Sequence, residues 1–169
     1  QFFELSEDPV RPEGEVRPEF SRSERLWAHA GLHPVGTPGN TRATPLLAYR
    51  WDATNRALDE QLAMEKEGFR FTVSAGHAAV RYVNPVTGGD VMPTLRVEMH
   101  RLLPGALFEQ VREVGSAVYQ VFDGSGEVSV GKHHWQVQHG DLFAVPSWVP
   151  FSAQAASGSR MDLFRFSDT

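Results

Sequence analysis

Gly140-Asp141-Leu142-Phe143-Ala144-Val145-Pro146-Ser147-Trp148 is the stretch from which the fold is read. A turn pair opens it, four apolar residues follow and a proline closes it, which is how a short, fenced strand looks in sequence. The same pattern continues on both sides. Downstream, Phe151–Ala155 and residues 161–166 read as strands on either side of Gly158. Upstream, strands are expected at 117–122, 127–130 and 134–137, split by Asp123-Gly124-Ser125-Gly126 and by Gly131. Leu95, Val97 and Met99 alternate with Arg96, Glu98 and His100, a half-buried strand with His100 on its polar face. Segments 71–73 and 78–83 extend the series, and Asn84-Pro85, Gly88-Gly89 and Pro104-Gly105 mark breaks. Short strands at this spacing predict an all-β sandwich or barrel.

One clear helix precedes the strands. Asp52 or Thr54 caps a segment over 53–66, and Gly68 sits where a left-handed C-cap belongs. Trp51, Asn55, Leu58 and Leu62 share one face, with Leu58 and Leu62 as core contacts. Residues 1–48 hold six of the eleven prolines and no sustained amphipathic period, apart from a short helix at 21–30. Proline fixes φ and removes a donor, so this reads as an irregular arm or linker. Phe2, Phe3, Leu5, Phe20, Leu26 and Trp27 give it apolar material to bury; a disordered tail is the alternative. The chain therefore divides into an arm over 1–48 and a helix plus β-domain over 49–169.

Composition narrows the function. A chain of 169 residues with 41% hydrophobic and 22% charged residues is an ordinary globular domain, large enough for a full core. Sixteen basic against 21 acidic residues, net −5, argue against binding nucleic acid or an anionic membrane. No run approaches the roughly 20 apolar residues of a membrane span. With no cysteine, disulfides, thiolate metal sites and cysteine nucleophiles are excluded. Gln1-Phe2-Phe3-Glu4-Leu5 does not resemble a secretory signal, which predicts a cytoplasmic protein; it also lacks an initiating Met, which suggests a chain that continues upstream. No nucleophile elbow, dinucleotide fingerprint or P-loop is present.

Pro104-Gly105 reads as opening a hairpin that ends at Asp123-Gly124-Ser125-Gly126, with Gly140-Asp141 and Pro146 beyond it. This resembles the two motifs of the cupin superfamily, small jelly-roll barrels in which motif histidines hold a divalent metal. Other residues narrow the resemblance. They are Tyr49-Arg50-Trp51 with Thr54, Ala57 and Leu58, the run Tyr82-Val83-Asn84-Pro85-Val86-Thr87-Gly88-Gly89, and Met92-Pro93-Thr94. With Pro146-Ser147-Trp148, Leu163-Phe164 and Ser167-Asp168, residues 45–169 look like the C-terminal half of a gentisate 1,2-dioxygenase.

The resemblance implies a cupin-type double-stranded jelly-roll barrel from a bicupin, with the arm as inter-cupin linker. It implies a parent that cleaves hydroxylated aromatic acids with O2 and Fe(II), gentisate, salicylate and hydroxynaphthoate cleavers sharing the architecture. The iron is then held by three histidines of an N-terminal cupin that this chain does not contain. That cupin is the expected partner, within a homo-oligomer.

Counting from Gly105 places the first two ligand positions of the family at Val111 and Glu113, and the histidine position after Trp148 at Phe151. Valine and phenylalanine have no lone pair, and one carboxylate cannot hold a barrel iron. The segment is therefore expected to carry no metal, no cofactor and no catalytic residue. Glu113, Tyr119 and Trp148 remain as a candidate pocket, the alternative being a barrel that Val111 and Phe151 simply fill. A carboxylate at 113 facing apolar walls needs an arginine or tyrosine partner. No two of the seven histidines fall on one expected strand or helix at chelate spacing, and each is expected to be surface or structural. Three functions compete: the non-catalytic cupin of a ring-cleaving enzyme, a stand-alone metal-free cupin binding a small molecule or protein, and an enzyme with a site moved to Glu113 and a histidine.

Overall fold

The structure, a computed structural model, describes residues 19–36, 42–46 and 48–168. The expected arm residues Phe2, Phe3 and Leu5 lie outside the described residues.

Two helices and eight strands are described: α1 Arg22–Trp27, α2 Trp51–Lys66, β1 His77–Arg81, β2 Leu95–Leu102, β3 Leu107–Val111, β4 Ala117–Val130, β5 His133–Gln138, β6 Leu142–Val145, β7 Phe151–Ala155 and β8 Met161–Asp168. All pairings between these strands are antiparallel. One sheet runs β1-β2-β8-β4-β6 and the other β3-β7-β4-β5. Strand β4 belongs to both: residues 117–120 lie between β8 and β6, and residues 126–130 between β7 and β5. The faces that meet bury Leu102, Phe108, Tyr119, Val121, Val128, Phe151 and Leu163. This is the expected all-β jelly roll.

The long β4 corrects the sequence reading. Asp123-Gly124-Ser125-Gly126 is not a hairpin turn but the middle of one strand, with a register shift between Val121 and Asp123. Its glycines serve close approach. A Cβ on Gly124, which has φ +81°, would stand 1.8 Å from the Arg160 carbonyl oxygen, and one on Gly126 would stand 2.2 Å from that of Gln154. A strand crossing between two sheets needs such small residues where it bends.

Helix α2 begins at Trp51, two residues earlier than expected. Its N-cap is Arg50 with no side-chain cap, while Asp52 lies in the first turn and the Thr54 hydroxyl donates to the Arg50 carbonyl. The helix lays Leu58 and Leu62 on Ala78 and Met99. An ionic cluster centred on the buried Arg101 and Asp162 fastens it beside this contact. Arg101 donates to both carboxylate oxygens of Asp162 at 2.9 and 2.6 Å, to Asp59 at 2.6 Å and to the Asn55 side chain at 2.9 Å. The shorter α1 has a capping box between Ser21 and Glu24, and Glu24 reaches Arg50 at 2.6 Å.

Segment 71–73 is not a strand. Thr72 Oγ1 and Gly76 N–H donate to Glu65 of α2, so the segment is tied to the helix end, and Phe71 and Val73 stay exposed. The Asn84–Gly89 run folds back on itself: Asn84 N–H donates to the Gly89 carbonyl and Gly88 N–H to the Asn84 carbonyl. That motif builds the β1–β2 connection. No helix among the described residues is long and apolar enough to cross a membrane.

Candidate functional site

Val111 of β3, Glu113 just past it, Tyr119 of β4, Val145 of β6, Val149 and Phe151 of β7 surround one open recess with room for about one water. Val111 and Phe151 are direct cross-strand partners, so their side chains leave the ladder on the same face. Phe151 is 1% exposed and packs its ring 4.5 Å from Tyr119 and 5.1 Å from Phe108, between centroids. These aromatic contacts fill the barrel beneath the recess. Trp148, an expected pocket residue, does not line the recess. It is 59% exposed with φ 63°, and its N–H donates to the Glu113 carbonyl at 2.7 Å. The left-handed turn aims its side chain away while the backbone clamps Glu113.

Glu113 lies just past the end of β3, half exposed rather than sealed inside the barrel. Its partner is Arg165 of β8, which donates through Nη2 to Glu113 and through Nη1 to Glu98 of β2. The registers explain the meeting: Arg165 pairs with Glu98 on one side and with Tyr119 on the other. Its guanidinium carbon stands 5.8 Å from the Tyr119 ring centroid. Burial pushes the Tyr119 hydroxyl above its ordinary value. Burial alone would raise the Glu98 carboxyl too, but His100 and Arg165 overcome it and bring it down to about 2.

The chain of polar contacts continues inward. His100 Nε2 lies 3.4 Å from a Glu98 carboxylate oxygen, and His100 Nδ1 lies 3.0 Å from His77 Nε2. One of those two ring nitrogens carries the shared proton and donates it to the other. His77 is fully buried and His100 is 5% exposed, both packed over Phe108 at 4.7 and 5.0 Å between centroids. Burial, and secondarily the neighbouring His100, hold His77 down to about 3, so it is neutral at ordinary pH.

One reading is corrected here. His100 is not on a polar outer face, because β2 is covered on both sides: by α2 over Met99 and by the barrel interior over His100 and Leu102. His77, the first residue of β1, is fully buried, and the two histidines form a pair that their separation of 23 residues concealed. The signal that could have found it is the β1–β2 register, in which His77 stands opposite Leu102 and so shares the face of His100. The missing member was Arg165, which lies in an apolar alternation and gives no sign in sequence of facing inward.

The remaining histidines stay apart. His134 meets the Ser129 hydroxyl at 2.7 Å, His133 stacks on Trp135, His139 meets the Phe122 carbonyl, and His29 meets the Arg25 carbonyl. His33 lies against Trp27. Among the described residues no three His, Cys, Asp or Glu side chains converge as a metal site would require. The residues around the recess do not fit an iron: Val111 and Phe151 offer no donor, and the Glu113 carboxylate already serves Arg165.

No family model matches the chain. A gentisate 1,2-dioxygenase from Streptomyces sp is 47% identical over 167 residues, covering 99% of this chain and 45% of that protein. A 1-hydroxy-2-naphthoate 1,2-dioxygenase from Nocardioides sp. (strain KP7) is 31% identical over 140 residues, 80% of this chain and 33% of that protein. The crystal structure of a salicylate 1,2-dioxygenase from Pseudaminobacter salicylatoxidans matches with TM-score 0.87 and 56% identity, covering 90% of this chain and 43% of that one. A cupin-2 domain from Rhodospirillum rubrum, 15% identical with TM-score 0.50, shares the fold alone. The chain thus spans less than half the length of the curated relatives it matches. Over that span its sequence and its jelly roll place it in the gentisate 1,2-dioxygenase-like cupin family, to which the chain belongs.

Proposed function

We propose that this chain is the C-terminal, non-catalytic cupin of a bicupin that cleaves hydroxylated aromatic acids with O2 and Fe(II). The iron belongs in this reading to an N-terminal cupin of the same protein, which packs against this barrel within a cytoplasmic homo-oligomer. The observation that carries the proposal is the barrel filled beneath the recess. Val111 faces Phe151 where the family resemblance sets two ligands, and Glu113, the one donor left, is held by Arg165. The similar proteins are dioxygenases named for gentisate, 1-hydroxy-2-naphthoate and salicylate, which supports a ring-cleaving parent but does not choose among aromatic acids. Barrel, helix and clamps then act as scaffold.

The test is oxygen uptake by this chain alone, supplied with Fe(II) and in turn with gentisate, salicylate and 1-hydroxy-2-naphthoate. No uptake above the Fe(II) blank is expected. Ring-cleaved product from the chain alone would overturn the reading.

A further inference from the structure

The two sheets turn different outer faces to their surroundings. On β3-β7-β4-β5 the register sets Gln154, Glu127 and Gln136 in one row and Ser152, Ser129 and His134 in the next, a face made for water. On the other sheet it sets Val97, Phe166, Val118 and Ala144 side by side across β2, β8, β4 and β6. An antiparallel sheet with one solvated side turns polar residues outward, and this row does not. Helix α2 covers the part over Ala78, Met99 and Phe164. Beside it Phe166 and Phe122 are 37% and 38% exposed and Leu142 is 65% exposed, with the Trp51 ring 4.5 Å from that of Phe122. These residues form an apolar margin next to the helix.

The occupant follows from where the chain arrives. The Glu19 carbonyl accepts from Arg50 Nη2 at 2.6 Å, and the Arg50 guanidinium stands 4.8 Å from the Phe20 ring centroid. Arg50 directly precedes Trp51, so the polypeptide upstream of Glu19 departs from a corner of the margin. More than half the length of the similar dioxygenases lies outside the match. The extent of the margin also fits a tethered partner. It holds Trp51, Val118, Phe122, Leu142, Ala144 and Phe166, against about 20–30 residues a side in a stable interface between separate chains. A covalently linked domain needs less, because the tether supplies effective concentration.

We propose that this margin is the docking surface for the remainder of the protein: a second, N-terminal cupin lays an apolar face over β8, β4 and β6 beside α2. The inference rests on the reading of the chain as one half of a bicupin. It goes beyond that reading in naming the face that is buried and in leaving the outer face of β3-β7-β4-β5 to solvent.

The experiment is hydroxyl-radical footprinting of this chain alone and of the full-length bicupin that contains it. Phe122, Leu142 and Phe166 are expected to be oxidised at least about fivefold more slowly in the full-length protein, as the core of an interface loses its water. That protection persists on dilution, as an intramolecular contact requires. Equal rates in the two proteins overturn the inference. So does slow oxidation of the three residues in the chain alone, which assigns the cover to residues 1–18, and so does protection lost on dilution, which assigns it to a second copy. Should the chain alone not fold, Leu142→Glu with Ala144→Glu in the full-length protein decides. Faster oxidation of Phe122 and Phe166 is expected there, and Leu107→Glu on the other sheet is expected to leave both slow; no change in the double variant overturns the inference. A gene that encodes no second cupin removes the bicupin reading and the inference together, whereas an unprotected margin in a bicupin removes the inference alone.

Discussion

Replacing Phe151 by alanine tests directly whether the barrel is filled or keeps a usable pocket. Phe151 is 1% exposed, with rings of Phe108, Tyr119 and Phe143 between 4.5 and 5.8 Å away and Val111 opposite in the ladder. An aromatic side chain of this kind buries roughly 150–250 Å². At about 25 cal/mol per Å² that is about 4–6 kcal/mol of transfer free energy, of which alanine retains a small part. Measured core Phe→Ala substitutions cost about 3–5 kcal/mol, and we take that as the expected loss. For a chain of this length it lowers Tm by roughly 6–20 °C. The assay is urea unfolding followed by tryptophan fluorescence, with an unchanged slope and a lower midpoint. Phe151→Leu keeps much of the volume and is expected to lose only about 1.5 kcal/mol. A loss below about 1 kcal/mol for Phe151→Ala would show that the ring is not packed as described, and the filled-barrel account would fail.

Further outcomes are expected elsewhere. Arg101→Met leaves Asp162 buried with only Arg160 Nε at 3.9 Å, and is expected to cost about 3–5 kcal/mol; adding Asp162→Leu should recover much of that. A double variant no more stable than the single one in urea would contradict this. Gly124→Ala meets the Arg160 carbonyl oxygen and is expected to destabilise by more than 2 kcal/mol, whereas Gly140→Ala, at φ +92° with open space around it, loses about 1 kcal/mol. Equal losses in thermal melts would contradict the close approach. His77 binds its proton near pH 3 when folded and near 6.5 when unfolded, so its contribution is complete above about pH 6.5 and is lost as pH falls toward 3. That amounts to about 2 kcal/mol between pH 8 and pH 5, and His77→Phe should flatten the urea midpoint over this range. Glu98 adds a second loss from its ordinary value of 4.5 down to about 2, in the same direction.

The jelly roll was legible because each strand carries its own punctuation. Leu142–Val145 and Phe151–Ala155 fall where Gly140-Asp141, Pro146 and Pro150 fence them. The crossing strand β4 was not legible, because Asp-Gly-Ser-Gly signals a turn whenever local conformation decides, and here the approach of Arg160 and Gln154 decides. Counting set Glu113 at the barrel mouth, where it does line the recess, but the expected desolvation does not hold, since its side chain is half exposed. The identity of its partner was not legible, since Arg165 is brought in by the β2–β8 and β4–β8 registers over separations of 67 and 52 residues from Glu98 and Glu113. The His77–His100 pair escaped for the same reason. Register is a property of the whole sheet, and alternation along one strand does not contain it.

The central claim is that this barrel holds no iron of its own, and the most direct measurement is the metal content of the chain after anaerobic Fe(II) reconstitution and desalting. The account predicts less than about a tenth of an equivalent, since a stable site needs three converging donors and Glu113 is the one carboxylate or imidazole among the described residues lining the recess. Close to one equivalent of retained iron would contradict it.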